Sequence, residues 1–269
     1  MAIVVFRKDW REVSRNWEVM GPMVVIPVIF SVLLPIVLGV IPNLVNVPGS
    51  SNDLENLIRN LPSSVRDELA GMTPQQAMFY VMSLYLLAPF FLIIPLMASS
   101  VLASDSFAGE KERKTIEALL ATPISDSELL LGKIFVSFIP SMALTIASFV
   151  IYSTVIDMIS LTMMNGKLLL PNLVWIMLIF VTAPTMALAS IGLTVMISAR
   201  VKGFREAQQI SVFLLLPILA LIFGQISGAI FFGLLTVAAL TGIFAVIDLT
   251  AFYMGLRMFD REEILSRLA

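Results

Sequence analysis

The chain of 269 residues contains no cysteine and no histidine. The first absence excludes disulfide frameworks and thiolate chemistry, the second excludes imidazole proton relays, and the two together exclude most zinc sites. Charge is scarce at 13% of residues, and with three tryptophans and four tyrosines the aromatic content is mostly phenylalanine. Hydrophobic residues make up 58% of the chain, and the mean hydropathy is +0.96. That balance belongs to a polytopic membrane protein and not to a soluble globule. Any chemistry must use carboxylates, hydroxyls or amines. The formal net charge of −2 says little, because in a membrane chain the placement of charge outweighs its sum. The first residues carry Arg7, Lys8, Arg11 and Arg15 and lack a small-residue cleavage site, so the mature chain is expected to begin at Met1.

Crossing a hydrocarbon core of roughly 30 Å takes about 20 helical residues. Apolar runs of that order occur at about 21–41, 77–104, 129–158, 170–199, 207–223 and 229–256, which predicts six spans in an all-α membrane fold, a single transmembrane domain over 1–269. The fifth run is short and the sixth long, with only 224–228 between them, so a re-entrant half-helix before span six is expected; irregular backbone is tolerated at that depth when protein or water covers it.

Of the 17 lysines and arginines, all but Arg59, Arg66 and Lys167 fall before span one, after spans two and four, or after span six. By the positive-inside rule both termini, including the tail 257–269, are cytoplasmic, and an even number of spans requires the two to share a side. The expected location is the cell membrane.

Within 1–19, Ile3, Phe6, Trp10, Val13 and Trp17 recur at three- and four-residue spacing among the four cations. This is the pattern of an amphipathic interfacial helix lying on the bilayer, with indoles at headgroup level; it serves as a plain anchor or also touches a cytoplasmic partner. The external segment 46–76 carries Leu54, Leu57, Ile58 and Leu61 on one helical face after a cap at Ser51 or Asn52. Pro62 ends it, and Val65 and Leu69 mark a second short turn. Such a segment packs on the outer ends of the spans or forms a lid.

The most informative stretch is SFAGEKERKTIEALLATPIS, residues 106–125, a charged segment between two long apolar runs. Glu110 and Lys114, and likewise Arg113 and Glu117, are four apart and would support a helix over about 106–121 whose other face holds Phe107, Ile116, Leu119 and Leu120. Pro123 disfavours helix at Thr122, and Ser125 with Glu128 makes a capping box that starts span three.

Here the chain resembles the membrane permeases of type-2 ABC exporters. In that family a stretch SFAxEKExxTxExLLxxPISxxExLxGK follows the second span, and this chain matches it from Ser106 to Lys133; REAQQIS, Arg205 to Ser211, resembles the later cytoplasmic turn. The resemblance implies a cytoplasmic coupling helix within 105–124, seated in a groove of a separate ABC ATPase (nucleotide-binding) subunit. Its contacts would be Phe107, Glu110, Lys111, Glu112, Arg113, Thr115, Ile116, Glu117 and Leu120, with a second contact at Arg205 and Glu206. The chain has no phosphate-binding loop, since Gly132 and Lys133 are followed by Ile134, so ATP and Mg would be bound by the partner and no cofactor by this chain. The family precedent adds a second permease subunit, a copy of this chain. Closure of the ATPases would swing the two coupling helices and switch the path from inward- to outward-facing. Besides these proteins and the lipid bilayer, no nucleic-acid partner is expected.

Two aspartates lie in the apolar runs. Asp248 stands nine residues before Arg257, about 14 Å from the cytoplasmic edge, where an ionised carboxylate costs roughly 2.5 to 3.5 kcal/mol. It is either a path-lining group or a hydrogen-bonding partner of a neighbouring Ser or Thr. Asp157 lies roughly 42 Å along span three, at the outer interface, where solvation is expected. Two membrane aspartates invite an intramembrane protease, but their depths disagree and a GxGD context is missing. The other alternative is an ABC-linked protein that transmits force without transport. A weakly charged interior suits a drug, lipid or other amphiphile, and few Tyr and Trp disfavour a polysaccharide.

Overall fold

The computed structural model describes residues 10–11, 16–44, 62–115, 126–164 and 166–258, and among them it contains helix and no strand. Among the described residues six helices are long and apolar enough to cross a membrane: Val19–Gly39, Pro74–Glu112, Glu128–Met163, Leu173–Arg200, Phe204–Ile226 and Leu234–Ala251, here spans one to six. Spans two and three, of 39 and 36 residues, reach well over 50 Å at 1.5 Å per residue, against a hydrocarbon core of roughly 30 Å. Both therefore project beyond it. The end where span two finishes and span three begins also carries Arg200, Lys202 and Arg205, and is called the basic end below.

Span two is the axis of the bundle. In its most apolar stretch 78% of residues are buried, whereas the figure is 22% for span one, 17% for span five and 22% for span six. Those three present Val25, Leu33, Phe213, Phe223, Leu235 and Leu249 outward, as a lipid-facing surface must. Span one lies on spans two and three, where Gly39 faces Ile159 so closely that an added methyl would sit 2.9 Å from its side chain. Spans four and six are joined by a Thr182–Thr241 hydroxyl bond of 2.8 Å and by the approach of Gly192 to Ala251.

Span two is not one regular helix. Its backbone widens to a π turn at Met82–Leu86, restarts at Ala88–Phe91, and restarts again at Ile93–Ser104. The cause is Pro89 and Pro95, which return no N–H to the preceding turn. Carbonyls left short of partners in hydrocarbon must be satisfied by other groups, and neighbouring spans do so in order. Tyr152 Oη donates to the Ser83 carbonyl (2.7 Å), Trp175 Nε1 to Leu84 (2.9 Å) and Gln225 Nε2 to Tyr85 (2.8 Å). Three successive carbonyls are thus held by spans three, four and five. Around them Trp175 stacks on Tyr152 at 4.9 Å and meets Phe91 at 5.1 Å, which makes an aromatic core.

At the far end, the short helix Ser63–Leu69 buries Val65 and Leu69 in this core. Residues 45–61, which include Leu54, Leu57, Ile58 and Leu61, lie outside the described residues, as do Ile3, Phe6 and Val13 of the amphipathic start. No re-entrant half-helix precedes span six. Span five ends at Ile226, Gly228 turns in the left-handed region at φ 74, and Ile230 to Phe232 run without helix. Phe232 plugs into the core, and Phe231 meets the Tyr85 ring at 4.9 Å. Span five also starts earlier than its hydropathy suggests, at Phe204, which removes the length mismatch that a half-helix would explain.

Asp157 is not simply solvated. Its Oδ1 accepts the N–H groups of Leu169 (2.9 Å) and Leu170 (3.1 Å), because the chain doubles back after Met163 through Gly166 at φ 87.

Candidate functional site at the basic end

The charged segment does not begin a separate helix at Ser106. Span two continues through a π turn, Asp105–Gly109, and a last helical turn, Glu110–Glu112, before the chain bends at Arg113 and Lys114. Lys114 is the bending residue, at φ 56, and Thr115 closes the bend by donating its N–H to the Glu110 carbonyl at 3.0 Å. A continuous helix over 106–121 is therefore interrupted at Lys114. Ile116, Glu117 and Leu120 lie outside the described residues.

What precedes the bend is wired inward. Lys133, on the first turns of span three, is 2% exposed; its ammonium pairs with the Glu110 carboxylate, donates to the Ser106 carbonyl and lies 4.9 Å from the centre of the Phe107 ring. A lysine placed after Leu129, Leu130 and Leu131 must find such partners, because an unpaired charge inside the protein costs several kcal/mol by order of magnitude. Phe107 packs with Ala103, Leu130, Ile191 and Val195, so spans two, three and four meet at one ring.

The next two charges grip the turn between spans four and five. Lys111 Nζ donates to the Val201 carbonyl at 2.8 Å. Glu112 Oε2 accepts the Phe204 N–H at 2.9 Å. The helix Phe204–Ser211 has Gly203 at its N-cap, which offers no side chain, so the carboxylate of another span supplies the missing cap and complements the positive helix end. Space for it exists only because residue 203 is glycine: a Cβ there would stand 2.5 Å from Glu112 Oε2. Lys202 N–H donates to Glu206 Oε2 at 2.9 Å and completes the turn. Arg113 returns along span two to Asp105, with Nη1 3.1 Å from Oδ1, crossing the bare face of Gly109.

The residues expected to meet a partner thus divide. Phe107 and Glu110 are buried; Lys111, Glu112, Arg113 and Thr115 each hold an internal bond while keeping some surface. Arg205 and Glu206 are exposed on the first turn of span five, one and two residues beyond the capped N–H. Lys133, Gly203 and Asp105 escape a sequence reading of the site. A lone lysine in an apolar run and a helix start without Ser, Thr, Asp or Asn were the signals for the first two.

Asp248 lies elsewhere, on span six. It lines a cleft of about 270 Å³ with Leu130 and Ile134 of span three and Leu188 and Ile191 of span four. Its Oδ1 is buried with no hydrogen-bond partner among the described residues, so that oxygen has no Ser or Thr donor. The cleft sits beside Leu130, about 40 Å along span three from Asp157 at 1.5 Å per residue, so the two aspartates form no dyad. Among the described residues no group of three metal-binding carboxylates occurs.

A family model described as an ABC-2 family transporter protein matches residues 3–263. Neither the curated proteins nor the solved structures include a match.

Proposed function

The chain belongs to the ABC-2 transporter family, and from that premise we propose that it is the membrane permease of an ATP-driven exporter, working as a pair of copies with two separate ATPase subunits. The basic end is then cytoplasmic, in keeping with the clustering of lysine and arginine there, and the protein resides in the cell membrane. The ATPase binds the ATP and its Mg.

The observation that carries the reading is the grip of Lys111 and Glu112 on the 201–204 turn together with the Glu110–Lys133 pair. These bonds fasten the ends of spans two and four and the starts of spans three and five into one block. A push delivered at residues 113–125 reaches four spans at once, which is what a rigid-body switch of a transport path needs. In this reading Ile116, Glu117 and Leu120, together with Arg113, are the residues that contact the ATPase. Phe107, Glu110, Lys111, Glu112 and Thr115 set their position. Arg205 and Glu206 form the second contact, carried on the helix that Glu112 caps.

Purification of the tagged chain in mild detergent, with quantification of what accompanies it, tests the assembly. An ABC ATPase in equal amount is the expected result, with Glu117→Lys reducing its recovery and leaving the permease in the membrane. Permease that comes alone in several detergents, or an ATPase retained in full by Glu117→Lys, contradicts the docking assignment.

A further inference from the structure

The Asp248 cleft is a second site with its own chemistry. Its walls are hydrocarbon from three spans: Leu130 and Ile134, Leu188 and Ile191, and Leu249 beside the aspartate itself. Leu249 is 72% exposed and Leu188 38%, so the cleft opens on the outer side of the bundle, where bilayer molecules arrive laterally. At about 270 Å³ it is close to the lower limit of small-molecule sites, roughly 300 Å³. The polar content is one carboxyl group with a buried oxygen, Oδ1, that no described residue satisfies. Buried acceptors are almost always paired, and an exception calls for a missing partner. The partner that suits a carboxylate in apolar surroundings is a charged N–H donor attached to hydrocarbon, because it makes a charge-assisted bond while its body fills the walls.

We propose that this cleft binds the ammonium head of a protonated amphiphilic amine, with Asp248 accepting its N–H and the leucine and isoleucine walls receiving its hydrocarbon. The assignment gives a substrate class to the exporter reading above and rests on it only for the word substrate; the binding itself is independent of an ATPase. The position links the cleft to the block at the basic end. Leu130, Ile191 and Val195 line the cleft and also hold the Phe107 ring, so occupancy and movement of the block act on the same side chains.

The test uses the full chain in nanodiscs of neutral phosphatidylcholine, with dodecylamine as probe and dodecanol as its uncharged counterpart. A primary amine, with a pKa near that of lysine at about 10.4, is protonated at pH 7. Saturable binding of dodecylamine above that of empty nanodiscs is expected, weakened about tenfold in Asp248→Asn and restored in part by Asp248→Glu, with dodecanol indifferent to both. Leu188→Trp narrows the mouth while leaving the carboxylate in place, and is expected to weaken dodecylamine binding even if Asp248→Asn fails to fold. Dodecylamine binding that is unchanged in folded Asp248→Asn, or equally strong for dodecanol, overturns the site. Binding without ATP-driven movement of the amine in the complex supports the site and overturns its reading as a substrate site. Movement of another solute, with dodecylamine binding insensitive to Asp248, overturns the site alone.

Discussion

Glu112 ends span two by capping the backbone of Phe204, the first residue of span five, and Gly203 is the gap through which it does so. One carboxylate therefore fixes both the direction in which span two stops and the place where span five starts.

Glu112→Ala and Gly203→Ala should each loosen this joint, the first by removing the acceptor and the second by driving a methyl against it. Loss of a helix cap costs about 0.5 to 2 kcal/mol. Because both changes break the same contact, the double variant should be little worse than either single one, and a double-variant cycle on thermal unfolding in detergent checks this. Additive losses would mean that the two residues act separately.

The Lys133–Glu110 pair makes a sharper demand. Lys133→Met takes from the buried Glu110 carboxylate its buried cation, at a cost of about 3 to 5 kcal/mol for a broken buried pair. Glu110→Leu combined with Lys133→Met removes the carboxylate as well and should recover most of the unfolding temperature. If the double variant is as unstable as Lys133→Met, the pair does more than neutralise itself.

Trp175→Phe keeps an aromatic ring against Tyr152 and Phe91 but deletes the donor to the Leu84 carbonyl. A buried acceptor left unsatisfied costs about 1 to 3 kcal/mol. The loss should appear as faster hydrogen exchange in span two around residues 84–91, measured by mass spectrometry, with spans one and six unaffected.

Asp157→Asn retains an oxygen for the Leu169 and Leu170 N–H groups, whereas Asp157→Ala retains none. The alanine variant should open the connection between spans three and four to added protease, and the asparagine variant should resist as the parent does. Equal resistance in both would assign the turn to Gly166 alone.

Six spans are legible in hydropathy, because about 20 apolar residues have few other uses. The asymmetry of lysine and arginine likewise separates the ends. The interior of the basic end is not legible, and Glu110, Lys111 and Glu112 show why. Their spacing is that of an exposed helix, and Glu110 stands four residues before Lys114. Their partners, however, are Lys133, Val201 and Phe204, which become neighbours only once spans two to five have packed. The breaks in span two are intermediate, since Pro89 and Pro95 announce them, but the donors that serve the carbonyls ahead of Pro89 come from spans three to five. Span five is the opposite case. Its polar first turn, Arg205 to Gln209, hides a helix start that hydropathy places too late.

The repaired breaks also bear on synthesis. When span two leaves the ribosome, the groups that serve Ser83, Leu84 and Tyr85 have not yet been translated: Tyr152 follows first, then Trp175, and Gln225 last. Until the third of them arrives, the central helix of the protein lacks at least one of its native donors in a medium without water. A chain that ends before Gln225 would leave the Tyr85 carbonyl without its native donor, so the central helix gains its full set of partners only when span five is in place.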